Sequence, residues 1–183
     1  MEQYYLALNP DKNLTKLINE QKILVEDSIG NQTYLHHPPH FTLIIFTTDN
    51  LDKIILELEN LAKKIPKINI VLKDLYIFYN DSLTNGHTIA YSVSEENIPI
   101  LREIQLKTVN AIDKFNTKKF VYPFIGDVWI PHITLASIEP DKFDLIFDKI
   151  KQNSIQGEFL IDSINLYRVG DENSFLIRSF ELG

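Results

Sequence analysis

With 183 residues, 44% of them hydrophobic, the chain has enough apolar material for a packed interior, and it is expected to form one domain or two lobes sharing a core. Its formal net charge of −7 opposes broad, salt-driven binding along a nucleic-acid backbone, while leaving room for a small anion in a locally polar pocket. The absence of cysteine excludes disulfides and thiolate metal sites, and no stretch approaches the roughly 20 apolar residues of a membrane helix. Met1-Glu2-Gln3-Tyr4-Tyr5 has no positive region followed by an apolar one, so no signal peptide is expected and the cytoplasm is the default location.

Strands and helices alternate along the chain without a low-complexity linker. Residues 4–9 predict a strand ending at Pro10, and residues 11–26 a helix. Residues 27–39, rich in Gly, Asn and Pro, predict a loop, and 40–47 a strand. Asp49 or Asn50 is placed to cap a helix whose apolar positions Leu51, Ile54, Ile55, Leu58, Leu61 and Ala62 recur at helical spacing. That helix must stop before Pro66. Residues 68–78 and 87–93 predict strands joined by a polar turn through Asn80-Asp81-Ser82 and Asn85-Gly86. The order then repeats: helix 95–114, loop 116–127, strand 128–137 and helix 140–152, with Pro140, Asp141 and Asp144 near its N-terminal end. Strands 158–169 and 174–182 close the chain, joined across Gly170-Asp171-Glu172-Asn173. Each half thus holds a strand, a helix and a hairpin-like pair.

The two halves also share a motif. Pro39-His40-Phe41-Thr42-Leu43 and Pro131-His132-Ile133-Thr134-Leu135 both read Pro-His-apolar-Thr-Leu, each at the start of an apolar, β-branched run. Side chains alternate along a strand, so His40 and Thr42 share one face, and His132 and Thr134 likewise. The histidines stand 92 residues apart, about half the chain, and a pseudo-twofold arrangement would bring both motif strands over one cleft. Cleaving a phosphodiester or opening a cyclic phosphate needs a base for the nucleophile and an acid for the leaving oxygen. Histidine suits both roles, because its ordinary pKa of about 6.5 lies near working pH. Thr42 and Thr134 supply hydroxyl donors for the non-bridging phosphate oxygens. This chemistry calls for no metal or other cofactor, and sequence alone does not say which histidine is base and which acid.

The pair of His-x-Thr motifs resembles the signature of the two-histidine (2H) phosphoesterase superfamily, which includes the bacterial 2′-5′ RNA ligase and cyclic phosphodiesterase proteins. Residues 4–9 look like its first strand, Phe159 to Arg168 like its late strand and residues 174–182 like its last. The resemblance implies a bilobal, pseudo-twofold α+β fold, in which two mainly antiparallel sheets form a central cleft with helices outside. It also implies His40, Thr42, His132 and Thr134 as the catalytic groups. The long segment 27–39, with its extra His36 and His37, departs from the pattern. The expected reaction is metal-independent hydrolysis, or reversible transfer with RNA ligation as the reverse direction, at a 2′,3′-cyclic phosphate or a 2′-5′ phosphodiester. The expected partner is a small nucleotide, cyclic phosphate or short oligonucleotide end, and the expected oligomeric state is a monomer.

Further candidates follow. Tyr34 and Trp129 stand before the two motifs, with Phe120, Tyr122 and Phe124 in the second loop, as rings for base stacking; Trp129 and Phe124 read equally as core residues. His36 or His37 is expected to line the pocket mouth or simply to be exposed, and His37 is taken as the substrate-binding candidate. Tyr167 and Arg168 end the late strand, where an arginine would reach a phosphate bidentately or form a surface ion pair. Lys118-Lys119 reads as solvated loop, and His87 as structural. Two rival readings stand beside the enzyme: a catalytically inactive nucleotide- or RNA-end-binding module, and a metal-dependent hydrolase built on His36, His37 and His40.

Overall fold

Among the described residues, seven strands and four α-helices alternate along the chain; the structure is a computed structural model that describes residues 2–115, 125–170 and 173–183. Strand β1 (Gln3–Pro10) is followed by α1 (Lys12–Ile29), β2 (Phe41–Thr47), α2 (Leu51–Ala62) and the hairpin β3 (Ile68–Phe78) with β4 (His87–Val93). The second half runs α3 (Ile98–Ile112), β5 (His132–Ile138), α4 (Phe143–Gln152) and the hairpin β6 (Gly157–Val169) with β7 (Ser174–Glu181).

Local chemistry sets most boundaries. The Asp11 carboxylate accepts from Leu14 N at 2.8 Å and caps α1. That helix runs past its expected end at 26 until Gly30, whose φ of 79° ends it. At the start of α2 the Thr48 hydroxyl accepts from Asn50 N at 2.9 Å, while the Asn50 side chain caps nothing. The β3–β4 turn uses left-handed Asn80 and Asn85 (φ 51° and 60°), a conformation asparagine tolerates. The helix expected over 95–114 is α-helical only from Ile98 to Ile112, with 3-10 turns at Glu95–Asn97 and Asp113–Phe115. The strand expected over 128–137 is shorter at its start: Gly126–Val128 is a 3-10 turn, and β5 begins at His132, just after Pro131, which has no N–H for a ladder. Likewise α4 starts at Phe143 rather than at 140.

The strands pair antiparallel in the order β2-β1-β6-β3-β4-β5, and β7 pairs with β6. The two expected sheets are therefore halves of one hydrogen-bonded sheet. The cause is β6, whose 13 residues serve both halves: its N-terminal part pairs with β3 and its C-terminal part with β7, while β1 holds its other edge. The triplets β2-β1-β6 and β5-β4-β3 are equivalent about the pseudo-twofold. Twist brings β2 and β5, the two ends of the strand order, into contact. The repeat extends to irregularity. Leu43 is unmatched where β2 shifts register against β1, and Leu135 is unmatched where β5 shifts against β4.

One face of the sheet is buried by the helices. Leu14 and Ile18 of α1, Ile54 and Leu58 of α2, Leu101 and Ile104 of α3 and Ile146 and Ile150 of α4 join Leu6, Leu8, Phe41 and Ile133 in a single core. The other face carries only a small cluster, Tyr5, Ala7 and Tyr167, and is left to form a cleft. Among the described residues, no helix is long and apolar enough to cross a membrane.

Candidate active site

The alternation expected for the motif strands holds. Phe41, Leu43, Ile133 and Leu135 are fully buried in the core, while His40, Thr42, His132 and Thr134 line one cavity of about 600 Å³. Each imidazole is tethered in the same way. His40 Nδ1 bonds the carbonyl of Pro38 at 2.6 Å, and His132 Nδ1 bonds the carbonyl of Ile130 at 2.7 Å, two residues back in both cases. A carbonyl only accepts, so Nδ1–H is the donor and Nε2 holds the lone pair. The Nε2 of His40 accepts from the Thr42 hydroxyl at 2.9 Å.

Each motif histidine also rests against an aromatic ring. Tyr5 lies 4.9 Å from His40 and stacks in turn on Tyr167, 4.9 Å away and 10° from parallel. Phe78 lies 4.9 Å from His132. Burial against these walls disfavours the charged imidazolium. It brings the His40 pKa down to about 4, helped by Lys22, His37 and His132 and opposed by the Pro38 carbonyl. Burial lowers His132 as well, but the Ile130 carbonyl and Asp81 pull it back upward. Both rings are neutral at pH 7, and His132 has the environment that more readily accepts a proton.

Comparison with known proteins decides the family. The profile of the 2′-5′ RNA ligase superfamily matches residues 10–173. This chain belongs to the 2′-5′ RNA ligase superfamily. Its fold is similar to that of E. coli LigT complexed with 3′-AMP, at 16% identity and a TM-score of 0.62 over 99% of this chain and 98% of that one. TT0787 of Thermus thermophilus gives 14% identity and a TM-score of 0.67 over 98% and 97%. Kluyveromyces marxianus Usb1 gives 12% and 0.55 over 98% of each chain. At such identities the likeness is one of fold. No curated protein matches the chain.

The remaining candidates in this superfamily member divide. Tyr34 and His37 line the cavity; His37 Nδ1 shares a hydrogen bond of 2.8 Å with the Ser174 hydroxyl, and Tyr34 meets its ring edge-on. Trp129 does not reach the cleft. It is 1% exposed, because the 3-10 turn before it directs its ring into the core. Arg168 does not reach it either. Adjacent strand residues face opposite ways, so with Tyr167 on the cleft face Arg168 pairs instead with Glu2 at 3.2 Å and lies over Phe175. Tyr167 supports Tyr5 and is itself buried. Tyr122, with Phe120, Phe124 and Lys118-Lys119, lies outside the described residues. Arg168→Ala is expected to leave KM for a nucleotide substrate and the unfolding midpoint near wild type; a large rise in KM would restore the arginine to the site.

His36, His37 and His40 do not converge. His36 Nε2 faces the Glu26 carboxylate at 3.5 Å on the exposed side, while His37 and His40 spend Nδ1 on Ser174 and Pro38. Among the described residues, no group of three or more His, Asp or Glu side chains is arranged to hold a metal ion. His87 is structural: its Nδ1 accepts from Asn80 N at 3.1 Å and its ring packs on Phe143. Among the cavity residues that a motif-based reading misses are Tyr5, Lys22, Tyr76, Phe78 and Asp81. Tyr76 and Phe78 carried a signal, since residues two apart in a strand share a face.

Proposed function

We propose that this superfamily member is a phosphoesterase that opens 2′,3′-cyclic phosphates or cleaves 2′-5′ phosphodiesters of nucleotides or short oligonucleotide ends, using His40, Thr42, His132 and Thr134 without a metal. The observation that carries the reading is the duplicated site itself: two histidines with the same carbonyl tether and the same neighbouring threonine, on symmetry-equivalent strands, lining one cavity. The environments divide the labour. His40, the more strongly depressed, is the base, and its Nε2 takes a proton from water as a new P–O bond forms. His132, supported by Asp81, is the acid. Once protonated beside the bound phosphate anion, it delivers its proton to the 2′ or 3′ oxygen as that P–O bond breaks. Thr42 gives up its bond to His40 and, with Thr134, donates to the non-bridging oxygens. With a 5′-hydroxyl in place of water, the same two proton transfers would join the cyclic phosphate to a second chain and release the 3′ oxygen as a hydroxyl, which is ligation. The aromatic walls of Tyr5, Tyr34, Tyr76 and Phe78 suit a nucleobase. E. coli LigT has been crystallised with 3′-AMP, ATP and NADP+, which supports a small nucleotide as the ligand class.

A base works unprotonated and an acid protonated, so kcat/KM should rise as pH climbs through the His40 value and fall as it passes that of His132. The profile is therefore expected to be a bell with its acid limb near pH 4 and its alkaline limb below the ordinary histidine value of about 6.5. A profile still rising above neutrality would contradict the assignment. The reaction is tested with 2′,3′-cyclic AMP in oxygen-18 water, followed by phosphorus NMR and mass spectrometry. A nucleoside monophosphate carrying one solvent oxygen is expected. Tight binding with the cyclic nucleotide returned intact would make the cleft a binding module.

A further inference from the structure

Lys22 sits on α1, 4% exposed, yet it lines the same cavity as the motif histidines. Its ammonium donates to two backbone carbonyls, those of Tyr34 at 2.9 Å and His37 at 2.6 Å. An ammonium has three N–H donors, so one is left beyond these two. Among the described residues, every Lys and Arg ion pair involves a different cation, so no carboxylate is paired with Lys22. The carboxylate of the cavity wall, Asp81, is occupied by the Thr88 hydroxyl at 2.7 Å and by Leu83 N at 3.0 Å. Lys22 is also the one lysine or arginine among the described lining residues. Burying an ammonium without a counter-charge is costly, and the described residues supply none. A cavity wall with a buried, uncompensated cation beside two histidines and two hydroxyls is built for an anion.

We propose that Lys22 is a phosphate-binding residue of this cleft, its third N–H donating to a non-bridging oxygen of the substrate and its charge compensated by that phosphate. The inference rests on the phosphoesterase reading and deepens it. The Tyr34 and His37 carbonyls then act as a cradle that holds the ammonium in place, and this explains a cation on a helix position that otherwise belongs to the core face with Leu14, Ile18 and Val25. Burial lowers Lys22 to about 7, so the free site gains and loses this charge near neutrality, and a bound anion shifts it back towards the charged form. His37 and His40 from the segment that follows α1, Tyr34 beside them, and Asp81 and His132 across the cavity are the other titratable groups around it.

Sulfate, whose charge is constant from about pH 5 to 9, separates this role from catalysis. Calorimetric titration with sulfate at pH 6 is expected to show binding to wild type and about tenfold or more weaker binding to Lys22→Gln, which keeps a carbonyl-directed donor but no charge. Wild-type affinity should fall between pH 6 and pH 9, and the variant should lack that fall. In unmutated protein, the Lys22 Nζ titration followed by nitrogen-15 NMR should move to higher pH when sulfate saturates the site, which decides the matter even if the variant does not fold. Equal sulfate affinity in a folded Lys22→Gln, an unmoved Nζ titration, or no sulfate binding by wild type would overturn the proposal and leave Lys22 as a pin for the 34–37 segment. Loss of the phosphoesterase reading shows differently, as absence of turnover with sulfate binding intact.

Discussion

His40→Ala and His132→Ala are each expected to lower kcat on a 2′,3′-cyclic nucleotide by about 100- to 10,000-fold, with a much smaller change in KM. Each substitution removes one of two proton transfers and leaves the threonine donors and aromatic walls in place. The double variant should lose far less than the product of the single losses, because groups that act as a unit in one transition state are not additive. The two variants should also differ in kind. Residual activity of His40→Ala should lose the acid limb near pH 4, whereas that of His132→Ala should lose the alkaline limb. Steady-state kinetics from about pH 3.5 to 8 on all four proteins measures this. Full activity in either single variant would remove that histidine from the mechanism, and exchanged limbs would exchange the roles of base and acid.

Trp129→Ala is expected to cost about 3–5 kcal/mol of folding stability while changing nucleotide affinity per folded molecule little. The residue is 1% exposed and packs in the common core, and its carbonyl accepts from Arg102 Nε at 3.1 Å, which fixes the turn three residues before His132. Truncation opens a cavity that rigid strands cannot fill. Urea unfolding at pH 7 gives the stability, and equilibrium binding of a nucleoside monophosphate gives the affinity. The opposite pattern, intact stability with an affinity loss of about 1–3 kcal/mol, would mean that the indole stacks on a base after all.

Much of this architecture was legible in local pattern. Strands 68–78 and 87–93 coincide with Ile68–Phe78 and His87–Val93, because apolar alternation flanking Asn-Gly chemistry determines a hairpin almost alone. The duplicated motif marked both strands that line the cavity and the face of each that meets it. The union of the two halves into one sheet was not legible, since it depends on which neighbours the long β6 meets along its length. Tyr167 and Arg168 were separable in principle, as adjacent strand residues cannot share a face. Lys22 left a trace too: on α1 it falls among Leu14, Ile18, Gln21 and Val25, so a charged residue occupies a core-facing position. Its partners, two backbone carbonyls more than ten residues away, are visible only in three dimensions.

Cleavage of a phosphoester by two histidines of one cleft, without a metal, is tested most directly by single-turnover reaction of wild-type protein with 2′,3′-cyclic nucleotides and 2′-5′ dinucleotides in excess EDTA. Product is expected to form at the same rate with and without chelator. Activity abolished by EDTA and restored by a divalent cation would contradict the paired-histidine mechanism.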